Sequence, residues 1–386
     1  MTRIVSPQKN THDLAEYAAR AAETDRLANS DLAPILLGLY GEVGSIMAAA
    51  KKLHREKAAF AGYQLAVEEE FGDALWYIAA LCRRLSRPLE LVMSQAADGD
   101  GFSASVAAGG SAPGAIARVI RPVASPDLDK ALLRLGAATA NLLDLTTSSP
   151  EIDDKLVAFA REYLHALGAA SVTFSAALET NLRKARGRFI RPNLSDLPNF
   201  DSSFPADERL PDHFEITIRQ RSSGKTCLEW NGVFIGDPLT DNIRDQDGYR
   251  YHDVFHFTNA AVLHWSPTFR ALIKRKRKSQ PKVDEAQDSG RAIVVEEGLS
   301  AWIFSCAKEL DFFNGQTGVS FDLLKTISQF VRGYEVETCP LKLWEDCILQ
   351  GYEVFREIRR NQGGIVVGNR IDRRVSYKPL STGGSH

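Results

Sequence analysis

Apolar residues along the first half of the chain recur at steps of three and four. This is the period of a helix with one buried face. Leu36, Leu37, Tyr40, Val43, Ile46 and Met47 predict a helix over residues 31–53, and Leu65, Phe71, Leu75, Ile78 and Leu81 predict another over 63–85. Pro88 interrupts the pattern, and a weaker helix follows over 89–97. The stretch DGDGFSASVAAGGSAPG then has the Gly, Ala and Ser content of a flexible insertion, placed near residues 97–127. Helical periodicity resumes over 127–145 and 152–186, so the first half is expected to be an α-helical bundle with almost no strand.

The pattern changes after residue 188. RPNLSDLPNFDSSFPADERLPD has linker composition, and it separates a first domain, residues 10–195, from a second, residues 212–374. HFEITIRQ and KTCLEWNGVFIG alternate polar and apolar residues around Asn231-Gly232, the signature of a small β-hairpin or meander. Helical patterns return over 251–265, 292–310, 321–334 and 341–359, and the tail beyond about Val375 has the composition of a disordered segment. The expected fold class is mainly α: a helical bundle, a linker, and a mostly helical domain that opens with the hairpin.

A length of 386 residues favours two domains over one, and a net charge of −2 supplies no global attraction for nucleic acid or membrane. Cys82, Cys227, Cys306, Cys339 and Cys347 are scattered, with no Cys-x-x-Cys pair, and are expected to be reduced thiols. With no leader or spanning segment evident in the pattern, the expected location is the cytoplasm.

Several carboxylates fall within or beside apolar helix faces. Glu42 lies among Tyr40, Val43 and Ile46, while Glu70 and Asp73, three apart, share one face with Phe71, Leu75 and Trp76 nearby. Burying such charges together calls for a cation, and an all-oxygen set suits Mg²⁺ or Mn²⁺. Spacing alone equally allows EEEFGD to be a solvated edge and Glu42 a surface residue.

LYGEVGSIMAAAKKLHR followed by AVEEEFGDALWYIAALCRRL resembles the paired helices of the MazG-like all-α nucleoside triphosphate pyrophosphohydrolases, whose pattern is Glu-x-x-Glu, a gap, then Glu-x-x-Asp. ALETNLRKARGRF resembles that family's closing helix, and Asn181 and Lys184 occupy its substrate-contacting places. The resemblance covers roughly residues 10–190. It implies Mg²⁺ (or Mn²⁺) held by Glu42, Glu70 and Asp73, and hydrolysis of a nucleotide between its α and β phosphorus atoms. Glu69 would serve as the catalytic base, with Asn181, Lys184, Lys52 and Arg55 on the substrate and a homodimer as the assembly. One departure stands out: Ser45 replaces the second Glu of the first motif and brings no charge. This leaves a catalytically weakened nucleotide sensor as the alternative.

In the second half His252 and His256, four apart, with Asp253 between them and Glu297 about forty residues on, could share a metal and make this a metal-dependent hydrolase, or could be structural residues. Laying LYGEVGS on RYHDVFH and EEFGDALW on EEGLSAW sets Glu42 against Asp253, Ser45 against His256 and Glu70 against Glu297, like a degenerate second copy. Five consecutive basic residues, Lys274 to Lys278, have the composition of a solvated loop.

Overall fold

The computed structural model describes residues 12–27, 31–97, 103–106, 117–121 and 127–380. They fall into two compact units, Met1–Ile190 and Arg191–His386.

The first unit is a bundle of α1 (Leu14–Glu23), α2 (Ala33–Glu56), α3 (Tyr63–Arg84), α4 (Leu89–Ala97), α5 (Leu128–Ala140), α6 (Ile152–Ala169) and α7 (Phe174–Phe189). The periodicity expected over 152–186 is divided in two. Ser171 takes a left-handed conformation with φ 56°, and the Thr173 side chain accepts a hydrogen bond from the Ala176 amide to start α7. Short antiparallel strands β1 (His12–Asp13), β2 (Ser103–Val106) and β3 (Ala117–Arg121) pair in the order β1-β3-β2. Two of them lie in the segment expected to be a flexible insertion, whose remaining residues are mostly outside those described.

The buried face of α2 differs from expectation. Ile35, Leu36, Leu39, Val43 and Ile46 are buried, whereas Leu37 and Tyr40 are exposed, as is Leu65 on α3. The N-terminal turns of α2 are apolar nearly all round, so periodicity cannot choose a face there and packing against α3 does. By length and composition α2 could cross a membrane, yet much of it is buried within the bundle.

The second unit is built on a five-stranded antiparallel sheet, not a lone hairpin. Its strands are β4 (His213–Gln220), β5 (Thr226–Trp230), β6 (Val233–Leu239), β7 (Gly363–Asn369) and β8 (Arg374–Lys378), in the order β6-β5-β4-β7-β8. The Asn231-Gly232 turn joins β5 to β6 with positive φ at both residues (50° and 78°), the geometry that this dipeptide favours. β8 holds residues expected to be a disordered tail: paired on β7, their backbone donors and acceptors are satisfied. Between the strands lie α8 (Asp253–Thr258), continuing into a π turn over Asn259–Leu263, then α9 (Pro267–Leu272), α10 (Pro281–Val283), α11 (Gly290–Glu309), α12 (Phe321–Phe330) and α13 (Leu341–Asn361). α13 is the core helix, packing on α8, β7 and β8 through Tyr352, Val354, Phe355 and Ile358.

Two charged segments expected to be loose are built into this unit. In the linker Leu197, Phe204 and Leu210 are buried, and Asp201 pairs with Arg270 and Arg370. In the basic run Arg277 is fully buried, with its guanidinium on Asp288 (2.7 Å) and Glu335 (2.6 Å). A run of like charges carries no sign of which member turns inward. The partners lie 11 and 58 residues further along the chain.

Candidate functional site

Glu42 on α2 and Glu70 and Asp73 on α3 converge: one carboxylate oxygen from each lies within 4.8 Å of the others. The local reason is the buried rows on which they sit. Glu42 is flanked one turn either way by buried Leu39 and Ile46, and Asp73 lies between buried Phe71, Ala74 and Leu75. Packing α2 on α3 therefore drives the acids together.

α7 supplies the neutralising groups. Asn181 and Lys184 are three apart and share a face. The buried Asn181 amide donates to Asp73 Oδ1 (3.1 Å) and accepts from the Tyr17 hydroxyl (3.0 Å), which settles its orientation. The Lys184 ammonium donates to Glu69 Oε1 (2.7 Å) and to Asp73 Oδ2. Tyr17 was not anticipated as part of the site. The apolar spacing of Leu14, Tyr17 and Ala21 marks its helix face but not the amide that it meets.

Gly72 makes this approach possible. A Cβ there would lie 2.6 Å from the Ala177 carbonyl oxygen and 3.0 Å from Asn181 Cβ, so α3 and α7 touch backbone to backbone beside Asp73. Gly72→Ala is expected to cost about 1–3 kcal/mol, the usual penalty for overpacking. Chemical denaturation measures it, and an unchanged midpoint would show that the helices separate freely.

The electrostatics are those of crowded acids. Burial, then Asp73 and Glu70, raise the Glu42 carboxyl to about 8, with a hydrogen bond to Glu70 adding to the shift. Burial also raises Asp73, against the opposing pull of Lys184 and Asn181. Lys184 lowers both Glu42 and Asp73, yet both carboxyls stay raised, a state that a divalent cation would relieve. Carboxylate oxygens alone suit a hard ion such as Mg²⁺.

Lys52 and Arg55 are not brought to this cluster. They are exposed at the far end of α2, where both pair with Glu56 and Lys52 also lies over the Phe60 ring. The rise of an α-helix puts them ~15–20 Å from Glu42. Ser45, one turn beyond Glu42, is half-buried.

A second convergence lies in the other unit. Ligand atoms of His252, His256 and Glu297 fall within 4.8 Å of one another. Asp253 is buried beside them but outside that set; burial raises its carboxyl, and the two histidines pull the other way. Burial disfavours a charged His256, but Glu296 and Glu297 outweigh it and hold the ring well above its ordinary pKa. Glu297 is held low by His252 and His256 despite its own burial. Glu296 escaped notice in the sequence because adjacent glutamates do not reveal which one faces inward.

Residues 195–381 match the family model described as the MazG C-terminal domain. The second unit is MazG-like. The match occupies the second unit and does not reach the acids of α2 and α3, so the bundle stands on its own geometry. No curated protein and no solved structure matches the chain. The likeness of the chain's two halves stops at the ligand positions. A short turn joins α2 to α3, whereas α8 reaches α11 through the π turn, α9 and α10.

Proposed function

We propose that the α-helical bundle hydrolyses a nucleoside triphosphate, or a related nucleotide, at the α–β phosphoanhydride, yielding a monophosphate and pyrophosphate. The observation that carries this reading is the convergence of Glu42, Glu70 and Asp73 on one small volume, where the Glu42 carboxyl stays raised despite Lys184. The MazG-like family, nucleotide pyrophosphohydrolase-like in kind, supports it.

Glu42, Glu70 and Asp73 would hold Mg²⁺, which when bound neutralises phosphate oxygens and lowers the pKa of a coordinated water. Glu69 is proposed as the base for the attacking water. Its carboxylate accepts from Lys184, and a nucleotide phosphate that draws the ammonium towards itself would make Glu69 a stronger base. Asn181, braced by Tyr17, keeps Asp73 in place during that exchange. The exposed Leu37 and Tyr40 offer an apolar surface for the homodimer that belongs to the same reading.

The test is a panel of ribo- and deoxyribonucleotides with Mg²⁺, assayed for pyrophosphate against orthophosphate. Pyrophosphate release from at least one supports the enzyme. Nucleotide binding without release would instead make the bundle a sensor weakened by Ser45.

Proton and metal compete at Glu42, and the sign follows from its shift. Its folded pKa of about 8 lies above the ordinary 4.5, so without metal the contribution of Glu42 to stability is lost as pH rises through about 8. Mg²⁺ must displace that proton, so its affinity is expected to weaken by up to ~10-fold per pH unit below that value. In melting experiments the Mg²⁺-induced rise in Tm should be larger near pH 8.5 than near pH 6.5. Equal rises would remove the competition.

A further inference from the structure

We infer that the second unit carries its own transition-metal site, separate from the acids of the bundle, in which His252, His256 and Glu297 bind one zinc ion. The geometry goes beyond three residues being near each other. Each histidine has its Nδ1 beside an acceptor oxygen and its Nε2 turned to the same carboxylate. His252 Nδ1 meets the Tyr249 carbonyl oxygen at 2.9 Å, and because a carbonyl only accepts, that nitrogen carries the proton. His256 Nδ1 lies 3.2 Å from Glu296 Oε1. The two Nε2 atoms stand 3.5 and 3.2 Å from the Glu297 carboxylate oxygens. Two Nε2 atoms and one carboxylate thus face a common point.

The outer groups are the kind that hold metal-binding histidines in place. Glu296 is fully buried, and its oxygens accept from Asn259 Nδ2 (3.0 Å) and from the Thr268 amide (2.9 Å). The π turn beginning at Asn259 brings that amide in, and such turns recur at functional sites. Tyr249 stacks on the His252 ring at 4.4 Å with an interplanar angle of 5°, which sets its plane. A carboxylate or carbonyl on the remote ring nitrogen fixes the tautomer and strengthens the ligand.

His256 supplies the independent observation. It is 0% exposed, yet neither ring nitrogen makes a hydrogen bond of good geometry. A buried imidazole without such partners is costly unless its lone pair serves another purpose. An ion can enter, since the Glu297 side chain is 37% exposed and that of His252 is 12% exposed. Two imidazoles and one carboxylate suit zinc better than magnesium, and three protein ligands leave a fourth position for water or a substrate oxygen.

The full-length chain, stripped with EDTA and desalted, is titrated with ZnCl₂ by calorimetry and with Co²⁺ for its visible absorption. Wild type is expected to bind one equivalent more than His252→Ala, with a Co²⁺ band that this variant lacks. Glu297→Gln should weaken that equivalent by roughly 100-fold, and Glu296→Gln, a positioning change, by roughly 10-fold. Glu70→Gln should keep it, which separates this site from the bundle's whatever the nucleotide assays return. Circular dichroism shows whether each variant is folded; Glu297→Gln, isosteric and partly exposed, decides the matter if the others are not. Zinc binding equal in wild type and Glu297→Gln, or lost in Glu70→Gln, overturns the inference.

Discussion

Glu70→Gln is expected to lower pyrophosphate release by roughly 100-fold or more while leaving the fold intact. The substitution keeps the volume but removes one formal charge from the cluster proposed to hold a divalent cation. Metal ions contribute several kcal/mol to stabilising charge at a phosphoryl centre, and each 1.4 kcal/mol lost is about tenfold in rate. Removing the charge should also relieve Glu42, because Glu70 is one of the groups that raise its carboxyl. Without metal the variant should therefore be at least as stable as wild type. Lost turnover with retained or increased thermal stability would be hard to explain by misfolding. Turnover kept in Glu70→Gln but lost in His256→Ala would move the reaction to the second unit.

Arg277→Ala is expected to destabilise the second unit by about 3–5 kcal/mol, lowering its Tm by about 10 °C. Arg277 is fully buried, with its backbone amide and guanidinium both on Asp288 and its remaining donors on Glu335 and the Phe200 carbonyl. Truncating the cation takes the guanidinium from two carboxylates and leaves the fully buried Asp288 with the more distant Arg270 (3.7 Å) and a backbone amide, which costs more than the pair contributes when intact. Lys276→Ala, in the same basic run but outside that network, is the control and should shift the melt little. Similar shifts for both variants would mean that the run acts through overall charge and not through the Arg277 network. The network also ties the segment after residue 191 to the helices, since Asp201 and Phe200 both take part. A protease should find few open bonds there, although its composition is that of a linker.

Helices α2, α3 and α4 lie close to where periodicity places them, and Asn231-Gly232 turns the chain as this dipeptide does elsewhere. These features depend on neighbours in sequence: side chains one turn apart, or two residues that tolerate positive φ. The pairing of Glu70 with Asp73 was legible for the same reason. Their approach to Glu42 followed from a family resemblance and from the physical cost of buried charge, not from spacing alone. By contrast, β7 was invisible. GGIVVGN begins with two glycines and sits beyond a long helix, and only a place between β4 and β8 makes it a strand.

Local order in the chain determined the helical character of the first half, the position of its acids on helix faces, and the Asn231-Gly232 turn. Tertiary structure decided which side of α2 is buried, which arginine of the basic run turns inward, and which ring nitrogens of His252 and His256 face Glu297. The division has a physical basis. Helix and turn preferences are settled by atoms a few residues apart, whereas burial and polar pairing depend on partners far along the chain, as when Arg373 donates to the Pro198 carbonyl 175 residues before it.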